Sequence, residues 1–353
     1  MTLASRPSGS SPSATLRLRI DKSALASNWR ALDRLSGTAK TGAAIKADCY
    51  GLGVDACLPT LREAGAERFF VAHWSEVAGA AQHVAADSIS VLHGPITPAD
   101  AAYAQQSGAI PTINSPHQAQ VWNAAGGGVC DLMVDTGINR LGVAISELSS
   151  SEIATLNVRT LMSHLACADE DVTMNRAQLE RLRAAAQKIS HKELSLANSA
   201  GIALGADFAL HLTRPGLALY GGIAREELSQ HIAQTAYPEA AIIQTREILA
   251  GDSIGYNAEF TATQTVRVGT VSLGYADGFL RSWGQGGAYL MAGESRLPLL
   301  GKISMDMVVV DLSAAPNLGE GDWVSLPYFL PDAAQQSTLS QYELLTILGQ
   351  RWR

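Results

Sequence analysis

Eight short apolar runs of strand-forming residues recur along residues 43–221, and this repetition constrains the fold more than any other feature of the sequence. Alanine-rich segments with helical spacing separate most of them, for example residues 98–107 and 116–125. Eight β-α units at a spacing of roughly 20 to 30 residues are typical of a (β/α)8 barrel. The runs are AAIK, RFFVAH, ISVLHG, PTINS, LMVDTG, TLMSHLA, LSLANSAG and LTRPGLALYG.

Polar side chains stand at or just after the ends of these runs, where a parallel barrel collects its functional residues. A doubly wound open sheet would bring together only the strand ends near its switch point, so the barrel fits the pattern better. The polar residues at these positions are Lys46, His73, Asn114, Asp135, His164, Asn198 and Arg214.

The repeat stops after about Tyr237, which predicts a second domain. Beyond it lie short alternating or β-branched runs divided by glycine and aspartate turns, a pattern that indicates a mostly β domain. The serine- and proline-rich residues 1–13 are predicted to be a disordered tail. The predicted domains are therefore an α/β barrel over 14–237 and a β domain over 238–353.

Composition excludes several classes of function. A net charge of -7, with no basic cluster interleaved with aromatic residues, argues against nucleic-acid binding. The four cysteines show no CxxC spacing, so neither a disulfide framework nor a zinc site is expected. No apolar run approaches the roughly 20 residues that span a bilayer. We expect a cytoplasmic enzyme with a small-molecule substrate, no structural metal and no membrane partner.

The stretch AAIKADCYGLG places Lys46 at the end of the first barrel run, directly before a tight turn. Burying an ammonium group without a partner costs free energy or lowers its pKa. A lysine with a lowered pKa is both a nucleophile and a base. The alternative is a structural lysine at a strand end that pairs with Asp48. The stretch alone leaves both readings open.

Two later runs supply groups that suit a phosphate. LTRPGLALYG places Arg214 at a strand end, followed by Gly216 and a run of backbone amides, and ANSAG adds the Ser199 hydroxyl. A reactive lysine and a phosphate cradle at the same barrel mouth indicate pyridoxal phosphate held as a Schiff base.

The chain resembles the alanine racemases, fold-type III pyridoxal-phosphate enzymes, over nearly its whole length. Each motif is weak alone, but all occur in the family's order and bridge both predicted domains. The resemblance implies racemisation of L- and D-alanine, supply of D-alanine for peptidoglycan, and a homodimer whose active sites are shared between chains. The motifs are IKADCYGLG, VDTGINRLG, MSHLACADE, ANSAG, RPGLALYG, GYADG and GKISMDMVVVDL.

The resemblance assigns two bases to opposite faces of the substrate. It makes Lys46 the Schiff-base lysine and the base for the α-proton of the D-enantiomer. It makes Tyr275, in GYADG, the base for the L-enantiomer, contributed by the neighbouring chain. A racemase needs two such groups, since one would tend to return the proton to the same face. Tyrosine titrates near 10, so its phenolate needs stabilisation, for which His164 is the candidate.

Further roles follow from the same resemblance. Arg214 faces the pyridine nitrogen, and because arginine keeps its proton, that nitrogen stays unprotonated and the cofactor is a weaker electron sink. Arg140 reaches the substrate carboxylate and the cofactor's phenolic oxygen. Met305 and Asp306 help to seat the carboxylate from the neighbouring chain, although SMD by itself is more often just a strand before a turn. The remaining cofactor residues are Tyr50, His164, Asn198, Ser199, Gly216, Leu217 and Tyr342.

The sequence departs from the family pattern near the lysine and in the barrel. Family members usually carry Asn, Ala and His where this chain has Asp48, Cys49 and Leu52. Many also carry a carbamylated lysine at the position of Met133. Methionine cannot be carbamylated, so we expect a bound chloride or a nearby carboxylate to position Arg140 instead.

Three alternatives remain at this stage. The first is a racemase of serine or of a broader set of amino acids on the same fold. The second is a pyridoxal-phosphate decarboxylase, against which Arg214 argues because such enzymes generally place an acid at the pyridine nitrogen. The third is a non-catalytic pyridoxal-phosphate carrier, a class that lacks a second domain such as residues 238–353.

Overall fold

A computed structural model describes residues 14–352, so the predicted tail over 1–13 lies outside the described residues. The barrel prediction is confirmed, since each of the eight apolar runs forms or overlaps a strand of one parallel sheet. The barrel strands are Lys40–Thr41 continued as Ala43–Ala44, Phe69–Val71, Ile89–Val91, Ile110–Ile113, Val129–Asp135, Asn157–Met162, His191–Ser195 and Leu212–Thr213.

The first barrel strand closes the sheet on itself. Its first half, Lys40–Thr41, pairs with the last strand, Leu212–Thr213, and its second half, Ala43–Ala44, pairs with Phe69–Val71. Gly42 lies between the halves, where a Cβ atom would stand 2.8 Å from the Phe70 ring. A glycine is therefore required where the two ends of the sheet meet.

Helices cover the outside of the barrel, and the first is capped by Asp21, whose Oδ1 accepts from the Ala24 amide at 2.9 Å. The helix after the strand Phe69–Val71 is a single turn, Val77–Ala80, of which Val77 and Ala80 are buried. The helices of this region are Lys22–Ser36, Val54–Ala64, Val77–Ala80, Pro98–Ser107, Pro116–Ala124, Ser151–Ala154, Thr173–Ala186, Ser199–Ala203 and Ala206–Ala209.

The C-terminal region forms the predicted β domain around an antiparallel sheet. Leu16–Ile20 joins this sheet rather than the barrel, because it pairs antiparallel with Ala236–Ile248. The division of the chain at 237 stays a prediction. The other strands are Ser253–Ile254, Phe260–Thr261, Val266–Val271, Tyr289–Ala292, Ser295–Pro298, Val308–Asp311 and Trp323–Ser325, and the helices are Arg281–Gln285, Leu330–Ser337 and Gln341–Thr346. Within residues 14–352, no helix has the length and apolar character to cross a bilayer.

A buried ion pair connects side chains of three barrel strands. Asp131 is fully buried, and Arg159 contacts both of its oxygens, at 3.0 Å from Nε and 2.9 Å from Nη2. Ser90 Oγ donates to the same carboxylate at 2.7 Å. This geometry satisfies a charge that would otherwise be costly to bury.

Replacing Arg159 by methionine should lower the free energy of unfolding by about 3 to 5 kcal/mol, because it leaves the Asp131 carboxylate buried without its main partner. Arg68, with Nη2 3.9 Å from Asp131, compensates only in part. Urea unfolding measures the change. The matched control is Arg176→Met, which removes an exposed pair with Asp207 and should cost less than about 1 kcal/mol. Equal losses in the two variants would contradict the prediction.

Candidate active site

A cavity of about 730 Å³ opens at the carboxyl ends of the barrel strands. Ten of the residues predicted for the site line it, and so does Met133, one of the residues that depart from the family pattern. The structure therefore brings these side chains together, while their individual roles stay predictions. The ten are Lys46, Tyr50, Arg140, His164, Asn198, Ser199, Arg214, Gly216, Leu217 and Tyr342.

The turn after Lys46 is a left-handed helical turn, which the sequence pattern did not predict. Ala47, Asp48, Cys49 and Tyr50 all have φ between 53° and 56°. Left-handed helical backbone costs roughly 1 to 2 kcal/mol per residue, and strain of this kind concentrates at functional sites. The turn is closed by hydrogen bonds of its own, from the Cys49 amide to Ile45 O at 2.9 Å and from the Gly51 amide to Ala47 O at 2.8 Å.

Glu76 connects this turn by hydrogen bonds to the residues that follow the next barrel strand. Its Oε1 accepts from the Ala47 amide at 2.5 Å, and its Oε2 accepts from the amides of Ala72 and His73 at 2.7 and 2.8 Å. The Asp48 carboxylate accepts from the Val54 amide at 2.6 Å, on the far side of the turn. Sequence reasoning missed Glu76, since an acid thirty residues after the lysine carries no local signal.

The pKa of Lys46 lies below its ordinary value. Burial is the main cause, and the cations Arg140 and Arg214 add to it, while Glu76 acts in the opposite direction. A lysine in this environment carries more of the neutral amine, which is the form that attacks a carbonyl or takes a proton.

The predicted anion cradle is built from the turns after the last two barrel strands. Ser199 Oγ accepts from the amides of Gly216 and Ala218 at 3.0 and 3.1 Å. A Cβ atom on Gly216 would overlap the hydroxyl oxygen of Tyr50. The Tyr50 ring is held at this place by stacking on Tyr220, with the ring centroids 4.9 Å apart. Hydroxyl groups and backbone amides thus meet at one point of the cavity.

Arg214 is buried, with 7% of its surface exposed, and two barrel residues hold its guanidinium group. Nη2 donates to Ser163 O at 2.6 Å, and Nη1 donates to Ser195 Oγ. Burial lowers the pKa of Arg214 to about 10, and the Asp131 carboxylate opposes that shift. The group therefore stays cationic at neutral pH in a fixed orientation.

His164 is neutral at physiological pH. Burial and the cations Arg214, Arg140 and Lys46 lower its pKa to about 3. The backbone oxygen of His164 accepts from Gln178 Nε2 at 2.9 Å, which anchors the strand end. A neutral imidazole can assist a phenolate only by donating a hydrogen bond, so the predicted help for Tyr275 would not involve a positive charge.

Arg140 and Met133 both line the cavity. Across residues 14–352, no carboxylate lies within 4.0 Å of the Arg140 guanidinium group. The nearby carboxylate considered from the sequence is therefore not found, and a bound anion such as chloride stays a prediction. His93 also lines the cavity, with its ring 4.2 Å from that of His73, and was not singled out from the sequence.

Tyr275, Met305 and Asp306 lie in the β domain and are not among the described residues that line the cavity. They lie next to each other, since the Tyr275 amide donates to Ser304 O and the Ala276 amide donates to Met305 O, both at 3.1 Å. The Met305 side chain is 53% exposed. The cavity of one chain thus holds the predicted lysine without the predicted tyrosine.

Comparisons with known proteins agree with this architecture. The family model for the alanine racemase N-terminal domain matches residues 20–224, and the model for the alanine racemase C-terminal domain matches residues 236–353. The biosynthetic alanine racemase of Agrobacterium fabrum is 37% identical, with 96% of this chain and 93% of the relative covered. The catabolic alanine racemase of the same organism is also 37% identical, with coverage of 96% and 92%.

Solved structures give the same result. The alanine racemase of Bartonella henselae, described with covalently bound pyridoxal phosphate, superposes with a TM-score of 0.86 at 30% identity, covering 97% of this chain and 99% of that one. The biosynthetic alanine racemase of Pseudomonas aeruginosa has a TM-score of 0.84 at 30% identity, covering 96% and 98%.

A parallel barrel followed by a domain built around an antiparallel sheet is the architecture that this chain shares with these isomerases. The chain belongs to the alanine racemase family.

Proposed function

We propose that this chain interconverts L-alanine and D-alanine with pyridoxal 5′-phosphate as its cofactor. The observation that carries the proposal is the position of Lys46, whose amine has a lowered pKa and lines one cavity with Arg140, Arg214 and the Ser199 hydroxyl. A nucleophilic amine, two cations and a hydroxyl donor are the groups that a phosphorylated aldehyde and an amino acid need together.

The cavity fits this cofactor by its shape and its donors. Gly216 leaves a space beside Tyr50 that any side chain would fill, and the Ser199 hydroxyl, which accepts from the Gly216 amide and keeps its own proton to donate, suits a phosphate oxygen there. Lys46 Nζ would hold the cofactor covalently, and Arg214 would face the ring nitrogen. When bound, the cofactor supplies a carbonyl for the substrate amine and an electron sink for the α-carbon.

The remaining steps belong to side chains of the protein. Lys46 takes the α-proton from the D-enantiomer, which consumes that enantiomer. When Lys46 returns a proton to the same face, the D-enantiomer is produced. Tyr275 of a second copy does the same on the opposite face for the L-enantiomer, because a single base would favour retention. Arg140 orients the carboxylate, with the backbone near Met305 and Asp306 of that second copy. The proposal therefore requires a homodimer with shared active sites.

Arg214 also favours racemisation over the alternatives. Because it cannot release its proton to the ring nitrogen, the electron sink is weak, which suits reversible proton transfer more than decarboxylation. A non-catalytic carrier of the cofactor is disfavoured by the β domain, which such carriers lack.

Substrate preference is tested by measuring racemisation of alanine, serine, lysine and arginine with the purified holoprotein. Leu92, Ile96 and Leu141 give the cavity apolar walls, which favours a small apolar side chain. We expect alanine to have the highest kcat/KM. A higher value for serine would favour the broader racemase, and no racemisation by cofactor-loaded protein would refute the proposed activity.

The product would serve peptidoglycan synthesis in the cytoplasm if the enzyme is biosynthetic. The relatives do not decide this, since a biosynthetic and a catabolic alanine racemase are equally similar at 37% identity. We propose the biosynthetic role, and its test is whether deleting the gene makes growth depend on added D-alanine. Growth without D-alanine in the absence of a second racemase would contradict it.

Gly216→Ala should weaken cofactor affinity by at least about 10²-fold, because its methyl group would collide with the Tyr50 hydroxyl at the phosphate cradle. Fluorescence titration of the cofactor-free protein measures the change. The control is Gly79→Ala, where the added Cβ would be 3.7 Å from the nearest atom, and its affinity should match the native protein. Native affinity in Gly216→Ala would show that the phosphate binds elsewhere.

A further inference from the structure

We propose that Arg351, near the end of the chain, positions the turn that carries Tyr275 against the turn that carries Met305 and Asp306. The inference rests on the proposed function, because it concerns the two elements of the β domain that the shared site requires. It assigns to the C-terminal residues a role in setting the geometry of one of the two bases.

Arg351 bridges two carboxylates that belong to different turns. Its Nε lies 2.8 Å from Asp277 Oδ1, and its Nη1 lies 2.8 Å from Asp306 Oδ1. Asp277 is the last residue of the turn Tyr275–Asp277, and Asp306 follows Met305 directly. One planar guanidinium group therefore holds both turns through separate nitrogen atoms, which an ammonium group cannot do with the same geometry.

The next residue strengthens this attachment. Trp352 Nε1 donates to the backbone oxygen of Asp277 at 2.9 Å, and Trp352 is 4% exposed. Asp277 Oδ2 in turn accepts from the Gly274 amide at 2.9 Å, which closes the turn around Tyr275. The C-terminal pair Arg351 and Trp352 thus contacts both the side chain and the backbone of Asp277.

The two turns are already in close contact, so a small change at one is transmitted to the other. Besides the two backbone hydrogen bonds described above, a Cβ atom on Gly274 would overlap Met305 O. Only glycine permits this approach. The relative position of Tyr275 and Met305 is therefore set by direct packing together with the Arg351 bridge.

Charge explains why the bridge is needed. Asp277 is 1% exposed, and burial together with the Asp306 carboxylate raises its pKa, while Arg351 and the Gly274 amide act in the opposite direction. Without Arg351, two nearby carboxylates would repel each other and one of them would remain buried without its cation. We expect the turns to separate, which would move the Tyr275 hydroxyl.

Loss of the Arg351 bridge should affect α-hydrogen exchange of one alanine enantiomer more than that of the other. Displacing a catalytic group by about 1 Å can cost roughly 10²-fold in rate. Because Tyr275 serves only the L-enantiomer, Arg351→Gln should slow exchange of the α-hydrogen of L-alanine far more than that of D-alanine. Cofactor loading should not change, since all but one of the predicted cofactor residues lie in the barrel.

The experiment measures α-deuterium exchange of each alanine enantiomer in heavy water with holoenzyme variants. In Arg351→Gln we expect about a 10²-fold loss for L-alanine and less than about a threefold loss for D-alanine. Arg351→Lys should recover part of the loss. The control is Arg296→Gln, an exposed arginine of the same domain whose guanidinium group lies over the Tyr289 ring, and it should leave both rates unchanged. Equal losses for both enantiomers, or no loss, would overturn the proposal.

A second readout does not depend on activity. Amide hydrogen exchange of the cofactor-free protein should increase in Arg351→Gln within residues 272–279 and 303–308, and unchanged protection there would overturn the proposal even if activity fell. Tyr275→Phe separates this inference from the proposed function. If Tyr275→Phe leaves L-alanine exchange intact, the base assignment fails; if it slows exchange and Arg351→Gln does not, only the positioning role fails.

Discussion

Lys46→Ala should lower racemisation at least about 10⁴-fold, because it removes both the covalent anchor of the cofactor and one of the two bases. The absorbance of lysine-bound cofactor near the visible edge should disappear with it. No other lysine is among the described residues that line the cavity, so no neighbouring amine is placed to replace it. Absorbance spectra of the purified variant and an enantiomer-specific alanine assay measure the two effects.

The control for this variant is Lys40→Ala. Lys40 lies at the opposite end of the same barrel strand, where its Nζ pairs with Glu193 at 2.9 Å, and its side chain is 63% exposed. Both the spectrum and the rate should stay within about twofold of the native values, since an exposed pair contributes little. Native absorbance and rate in Lys46→Ala would mean that the cofactor attaches elsewhere.

Tyr275→Phe should slow α-hydrogen exchange of L-alanine by about 10² to 10⁴-fold, the usual contribution of a positioned acid or base. Exchange of D-alanine should persist, because Lys46 acts on that face. Racemisation in either direction should fall, since both directions need both groups. Arg281 lies over the Tyr275 ring, 5.4 Å from its centroid, and this contact survives loss of the hydroxyl. A fall in D-alanine exchange as large as that for L-alanine would contradict a two-base mechanism.

The barrel and most of its mouth could be predicted because their signals are local. Strand-forming runs alternate with alanine-rich helices, and parallel strands carry their terminal residues to one edge, so Lys46, His164, Asn198 and Arg214 meet in one cavity. The meeting of Ser199 with Gly216 was predictable for a similar reason, since each follows one of the last two barrel strands.

The geometry around Lys46 could not be predicted in the same way. A left-handed turn of four non-glycine residues opposes the intrinsic preference of each, and it is held in place by long-range contacts such as that from Glu76. Leu16–Ile20 gives a second example, because nothing in its local sequence indicates that it pairs with Ala236–Ile248. Pairing partners far apart in the chain leave no local pattern.

The central claim is that Lys46 and Tyr275 act as a pair across two copies of the chain. Mixing Lys46→Ala with Tyr275→Phe under conditions of demonstrated subunit exchange tests it directly, because one of the two sites in each mixed dimer would contain both native residues. We expect the mixture of the two nearly inactive variants, at equal concentrations, to recover roughly a quarter of the native activity. No recovery after proven exchange would contradict it.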